Sequence, residues 1–283
     1  MYRQRKRRNW VRIACGIFLI VWLVLALLPI YSMVLTSIKS SREISRAENP
    51  LTVKEVDLGH YKKLFTSDYK IWLVNSLIVS GAVTAIAIPL AILGAYGIVR
   101  FKFRGKALLS ISIFICYLMP RILLGIGLFV LFHEIGLINS RSGLILAYLT
   151  FVLPFSTWVL IGYFRNLPVE VEEQALVDGC SRIGALVRVT IPLAAPGIMT
   201  VFLFAFTLSW TEFIYPLLLI SDSVKLPVPV GIAGLVFGDL TIWGQMMAGG
   251  MFYSIPAILI YILLRRFIVG GLATGTITSG AIK

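Results

Sequence analysis

This 283-residue sequence predicts an all-α integral membrane protein with six transmembrane helices and both termini in the cytoplasm. Composition is the first reason. Hydrophobic residues make up 58% and charged residues 14%, where a soluble domain carries about a quarter charged, and mean hydropathy is +0.91. The second reason is length, because six segments each supply the roughly 20 apolar residues that cross a hydrocarbon core. The third is the gathering of Lys and Arg on alternate connections between those segments.

The chain begins with Arg3, Arg5, Lys6, Arg7, Arg8 and Arg12, read as a basic cytoplasmic tail over residues 1–12. The apolar run that follows exceeds the roughly 7 to 15 residues of a signal-peptide core and lacks a small-x-small cleavage site, so Ile13 to Leu35 is an uncleaved first span. A long segment from Lys39 to Lys70 then lies outside. The remaining spans run from Trp72 to Ile98, Ala107 to Phe132, Gly143 to Phe164, Pro196 to Ile220 and Gln245 to Leu264. Pro29, Pro89, Pro120, Pro154, Pro216 and Pro256 fall inside the spans. Membrane helices accept such prolines when neighbours satisfy the freed carbonyls, and kinks are expected near them.

Connections carrying Arg100, Lys102, Arg104 and Lys106, then Arg165, Arg182 and Arg188, and finally Arg265, Arg266 and Lys283 share the side of the N-terminus. The excess of positive charge makes that side cytoplasmic. It also accounts for the net charge of +13. The basic residues flank apolar spans and suit anionic inner-leaflet lipid, without the exposed aromatic interleaving that would suggest nucleic acid.

A polar, helix-forming insert separates the fourth and fifth spans. Pro168 suits a first helical turn, and Glu170, Glu172 and Glu173 sit where the helix macrodipole favours negative charge, so a helix begins near Pro168. Asp178-Gly179 closes it, because Gly takes left-handed backbone, and Ser181 caps a second helix. Ile183, Leu186, Val187 and Ile191 fall at near-helical spacing on one face, with Arg182 and Arg188 off it. An ordered, charged helix-turn-helix on one side of a membrane chain presents a docking surface to another protein. The plainer alternative is a connector that only joins two spans.

Other chemistries find little support. Cys15, Cys116 and Cys180 are isolated, which excludes a disulfide framework and a Cys-x-x-Cys site. His60 and His133 lie in different outer loops without a ligand series and read as surface imidazoles, with no metal site. No G-x-x-x-x-G-K-[ST] phosphate cradle occurs; Gly105-Lys106 is followed by Ala107 and has no glycine five residues earlier. If ATP drives this protein, a partner hydrolyses it. A membrane enzyme would need clustered catalytic His, Asp or Cys near one face, and a secondary transporter would commonly show inverted repeats. Neither pattern is found.

The insert resembles the EAA loop of ABC-importer permeases. That loop's usual form is E-A-A, two residues, D-G-A, then a hydrophobic stretch ending in a Pro-containing segment. Here it reads Glu173-Gln174-Ala175, Asp178-Gly179-Cys180 and Ile191-Pro192, with Gln174 and Cys180 in place of Ala. The likeness extends over nearly all of the chain and narrows to the carbohydrate, maltose-transporter-like permeases of the smaller-subunit type. Asn75-Ser76-Leu77 opens the second span, and Ala95-Tyr96 with Arg100 to Lys106 closes it, as in that group. Met119-Pro120, Gly136-Leu137-Ile138-Asn139-Ser140, Leu153 to Trp158 and Phe164 to Pro168 follow in the family order. Trp210-Thr211-Glu212-Phe213 resembles the group's W-N-E-F element, and Gly270 to Gly275 its G-L-x-x-G ending.

The resemblance implies a type I ABC importer permease fold, with residues 13–271 as the transmembrane domain, a coupling loop at 165–195 and a cytoplasmic tail at 272–283. It implies half of a translocation pathway for a sugar or oligosaccharide, in the plasma (inner) membrane of a bacterium or archaeon. A second homologous permease subunit would complete the pathway, and an extracytoplasmic sugar-binding protein would feed it through the outer segment Asp222 to Trp243. Two ATP-binding cassette subunits would hold ATP and magnesium, so this chain would bind no cofactor and would not be an enzyme. Glu172, Glu173, Ala175, Asp178, Gly179 and Arg182 would make the ATPase contact, and Leu272 and Gly275 a regulatory contact in the tail.

Two ionisable residues fall within the spans. Arg121 and Glu212 would each cost about 2.5 to 3.5 kcal/mol facing lipid, so both should face the bundle interior or a water-filled cavity. Two readings stand. With Tyr117 and Trp210 they line a substrate path, supplying acceptors and a stacking face, or they pair with each other or a neighbouring chain as structure.

Overall fold

The computed structural model describes residues 2–46, 49, 51–236 and 242–277, with side chains from residue 12 to residue 267. Among them the regular structure is helical: α1 (Tyr2–Ile38), α2 (Ser41–Ser45), α3 (Gly59–Thr66), α4 (Tyr69–Arg100), α5 (Lys106–Leu118), α6 (Arg121–Glu134), α7 (Arg141–Arg165), α8 (Val169–Val177), α9 (Arg182–Ala185), α10 (Ile191–Leu193), α11 (Ala195–Trp210), α12 (Ile214–Leu219), α13 (Val228–Ala233) and α14 (Trp243–Ile277). Four helices are long and apolar enough to cross a membrane alone, namely α1, α4, α7 and α14. The number rises to six if each of two bent pairs counts as one span.

One of those bends and a second helix break correct two of the expected spans. The third breaks at Met119-Pro120, where α5 and α6 meet at 93°; proline lacks the N–H that would continue α5, and both residues take extended backbone. The fifth is shorter than Pro196 to Ile220, because α11 ends at Trp210 and α12 starts afresh at Ile214. Its other end turns by 79° between Leu193 and Ala195, with Pro196 in the first turn of α11. Pro29, Pro89, Pro154 and Pro256 lie inside uninterrupted helices. At both ends of the chain the helices run past the expected tail boundaries: α1 begins at Tyr2, and α14 continues to Ile277.

The chain divides into two compact units, residues 1–69 with 232–253, and residues 70–231 with 254–283. In the first, the apolar stretch of α1 from Arg12 to Ile38 has none of its most apolar window buried, as befits a helix that is hydrophobic all round and covered by lipid. Beyond it, Lys39 and Glu43 form a buried pair at 3.8 Å. Lys39 Nζ donates to the Asn49 carbonyl at 2.7 Å, and Glu43 accepts from the Lys54 N–H at 3.3 Å. His60 is 3% exposed, with Nε2 2.9 Å from the Lys39 carbonyl. The expected surface imidazole is therefore a buried one, held by a backbone carbonyl that an isolated sequence window does not reveal.

The second unit is organised by α4 and α7. In α4 the buried residues Val79, Val83, Ala87, Ala91 and Ala95 repeat every fourth position, a single stripe of mostly small side chains that admits close helix approach. Leu144, Tyr148, Phe151 and Val152 of α7 pack on the first part of this stripe with Phe132, Ala205, Tyr215 and Leu219. Leu160, Ile161 and Phe164 pack on the second part with Leu186, Ala194, Ile198 and Val201.

Candidate functional site

The insert forms two short helices joined at Gly179. Pro168 occupies the N-cap of α8. At the other end of α8 the Gly179 N–H donates to the Leu176 carbonyl at 3.1 Å, and the Cys180 N–H to the Ala175 carbonyl at 3.0 Å. These are the two bonds of a Schellman closure, and they require the left-handed residue that Gly179 supplies at φ +89°. Ser181 then caps α9, its hydroxyl accepting from the Gly184 N–H at 3.1 Å. A π-helical turn, Leu186–Thr190, follows before α10.

Around this turn Val177 is 87% and Ile183 74% exposed. Beside Val177 a cavity of about 450 Å³ is lined by Glu170, Glu173, Gln174, Val177 and Asp178. Apolar tips next to a carboxylate-rich hollow form a surface suited to another protein. The expected single face of Ile183, Leu186, Val187 and Ile191 divides: Ile183 and Val187 point outward, whereas Leu186 is buried in the α4–α7 core. The periodicity is genuine, but Leu186 lies a step round the helix, where with Thr190 it forms the inward row.

The expected ATPase-contact residues do not share one environment. Glu173, Asp178, Gly179 and Arg182 are exposed and Ala175 is half-buried. The Arg182 guanidinium lies over the Phe101 ring at 5.4 Å. Glu172 is turned inward, 4% exposed, and bonds to the Tyr96 hydroxyl at 2.5 Å, to Arg100 Nε at 2.8 Å and to the Thr190 hydroxyl at 3.3 Å. Tyr96 and Arg100 were read from sequence only as part of the motif that closes the second span, with no link to Glu172, and Thr190 was not singled out. Leu272 and Gly275 lie outside the residues whose side chains are described.

At the opposite end of α4, Asn75 gathers the segment that follows α12. Its amide donates to the carbonyls of Val224 and Leu226 at 2.8 and 2.9 Å, while its oxygen accepts from Arg141 Nε at 2.9 Å. Trp72 Nε1 donates to the Ser223 carbonyl at 2.8 Å, and the Ser76 hydroxyl accepts from the Val228 N–H at 2.9 Å. Asn139, at φ +56°, accepts from the N–H groups of Ser221 and Asp222. These bonds give the Asn75-Ser76 and Asn139 motifs a shared task, which is to fix the segment from 221 to 228.

The two intramembrane charges meet. Arg121 Nη1 and Glu212 Oε2 are 2.8 Å apart, and the Arg121 guanidinium lies 4.4 Å above the Phe151 ring. Glu212 Oε1 accepts from the N–H groups of Ile214 and Tyr215 at 2.9 and 3.2 Å. Glu212 therefore sits at the break between α11 and α12 and caps the shorter helix. Trp210 is 2% exposed and stacked on Phe206, so its face is not free to receive a ligand. Tyr117 is half-buried and tilted against Phe155 at 5.1 Å.

The sequence pattern of the binding-protein-dependent transport system inner membrane components matches residues 87–272. The chain belongs to that family. The permease is 32% identical over 264 residues to the inner membrane ABC transporter permease protein YcjP of Escherichia coli, covering 92% of this chain and 94% of that one. It is 31% identical to the trehalose/maltose transport system permease protein MalG of Thermococcus litoralis, covering 96% and 97%, and 33% identical to the trehalose transport system permease protein SugB of Mycobacterium tuberculosis, covering 91% and 93%. In fold it is similar to a chain of a bacterial ABC transporter that imports the acidic polysaccharide alginate, with a TM-score of 0.76, 19% identity and coverage of 91% and 96%.

Proposed function

We propose that this permease is the smaller-type membrane subunit of a binding-protein-dependent ABC importer for a sugar or oligosaccharide. One observation carries the coupling part of that reading: the turn at Gly179 exposes Val177 and Ile183, and Val177 lines a hollow with the carboxylates of Glu170, Glu173 and Asp178. The loop at 165–195 then docks in the cytoplasm on one of two ATP-binding cassette subunits, which hold the ATP and magnesium. Glu173, Asp178, Gly179 and Arg182 make or shape that contact, and Glu172 acts from inside. A second permease chain completes the pathway, and a sugar-loaded binding protein engages the outer side, where Asn75 and Asn139 hold the segment from 221 to 228. The sugar assignment draws on the trehalose and maltose systems to which the relatives belong.

Of the expected path residues, Tyr117 and the partly exposed Arg121 remain accessible to a passing substrate, whereas Glu212 and Trp210 support the bundle. The test is reconstitution with the second permease and ATPase subunits in proteoliposomes, followed by uptake of labelled trehalose, maltose and longer glucans delivered by the binding protein. ATP-dependent uptake by a wild-type complex that retains the ATPase subunit, with uptake lost and retention lowered in Glu173→Lys, supports the reading. Failure of the wild-type chain to retain an ATPase subunit refutes it.

A further inference from the structure

Glu172 is a buried carboxylate on which donors from separate elements converge. Oε1 accepts from the Tyr96 hydroxyl, and Oε2 from Arg100 Nε and the Thr190 hydroxyl. The same guanidinium donates through Nη2 to the Leu167 carbonyl at 3.4 Å. Leu167 lies at the entry to the loop and Thr190 near its exit, while Tyr96 and Arg100 are one turn apart at the end of α4. Tyr96 is 5% exposed and Thr190 2%; the side chains of Arg100 and Glu172 are 7% and 5% exposed. One carboxylate thus ties α4 to both limbs of the loop.

Apolar side chains of similar size would hold the loop about as firmly, since desolvation offsets most of what a buried ion pair gains. What directional hydrogen bonds add is a fixed arrangement. The apolar contacts of Leu186 with the α4–α7 core can slide, but a carboxylate gripped by three donors cannot shift without breaking them. From this grip α4 runs unbroken for roughly 30 to 40 Å, at about 1.5 Å per residue, to Asn75 and Trp72. There it holds the backbone of Ser223 to Val228.

We propose that Glu172, Arg100, Tyr96 and Thr190 form a clasp that makes the loop and α4 move as one body, so that displacement of the loop reaches the segment from 223 to 228. They are positioning residues for transport, and the proposal rests on the coupling reading above. Its test uses the assembled complex with second permease and ATPase subunits. Cys15, Cys116 and Cys180 are replaced by Ser, and spin labels are placed at the exposed positions Val187, in the loop but outside the docking surface, and Leu77. The distance between labels is measured nucleotide-free and after trapping with ATP and vanadate, so no sugar is needed.

With the clasp intact, the distance stays the same in both states. In Glu172→Gln, and to a lesser degree in Tyr96→Phe, trapping shifts or broadens it by about 2 Å or more, the scale of helix shifts at interfaces. ATPase subunit retention remains at the wild-type level, which separates the clasp from docking. Binding-protein-stimulated hydrolysis falls about fivefold, the lower end of usual coupling strengths. A wild-type distance that changes on trapping overturns the clasp, as does an unchanged distance in Glu172→Gln. If Glu172→Gln fails to assemble, Tyr96→Phe decides, because it removes one hydroxyl and keeps the ring; failure of both to assemble makes these residues folding elements only and equally overturns the proposal. Absence of ATPase retention in the wild type sinks the coupling reading instead.

Discussion

Replacing Gly179 isolates the backbone contribution of the turn proposed to couple the loop to the ATPase subunit. A Cβ added there meets no heavy atom within 4 Å, so the cost that every Cβ-bearing residue shares at this position is conformational. At φ +89° a Cβ-bearing residue loses about 1 to 2 kcal/mol. The two bonds that close the turn contribute about 1 kcal/mol each, so the penalty cancels half or all of what holds the turn shut. A change of 1 to 2 kcal/mol corresponds to a factor of roughly 5 to 30, which is the largest loss of ATPase affinity expected if only the closed turn docks. Gly179→Asn should retain most of the affinity, because Asn visits the left-handed region with less difficulty. The assay compares the ATPase subunit retained by affinity-purified membrane complex with ATP-dependent uptake in proteoliposomes. Insertion and pairing with the second permease should be unaffected. Normal retention in Gly179→Val, or equal damage from Asn and Val, would falsify this account.

Three further outcomes follow from particular contacts. Glu212→Gln keeps an acceptor for α12 but leaves Arg121 without its counter-charge, and should lower the unfolding temperature of the solubilised complex by an amount equivalent to roughly 2 kcal/mol, below the ~3 to 5 of a fully buried pair because Arg121 is 34% exposed. Arg121→Gln should partly restore it; Glu212→Leu, which also removes the α12 cap, should not be rescued, and a fully stable Glu212→Leu protein contradicts both roles. Gly231→Ala drives a methyl group into the Trp72 indole, should cost about 1 to 3 kcal/mol, and should appear as a lower melting temperature with increased proteolysis of the segment from 223 to 228; unchanged values argue against Trp72 helping to fix that segment. Truncation after Gly271 tests the expected regulatory contact of Leu272 and Gly275: membrane insertion should persist while ATPase stimulation changes, and identical stimulation marks the end of the chain as dispensable.

Local chemistry made much of this protein legible before any fold was known. The membrane class follows from composition and from apolar lengths, and the turn at Gly179 follows from Asp-Gly and Ser within a few residues of one another. The breaks at Met119-Pro120 and at Trp210-Thr211 were only half legible, because a proline marks a possible interruption, whereas the interruption at Thr211 depends on Glu212 finding the N–H groups of Ile214 and Tyr215. The inward turn of Glu172, its meeting with Arg100 and the burial of His60 belong to tertiary structure, which also decided for the pairing of Arg121 with Glu212 between the two readings open from the sequence. The ion pairs join residues 72 and 91 positions apart, beyond the reach of any local pattern. A span that is apolar all round carries no moment to say which face turns inward. The sequence alone therefore determined that the chain is built of apolar helices and where the turn at Gly179 falls, and packing of distant helices decided which of its charged groups are exposed and which are buried.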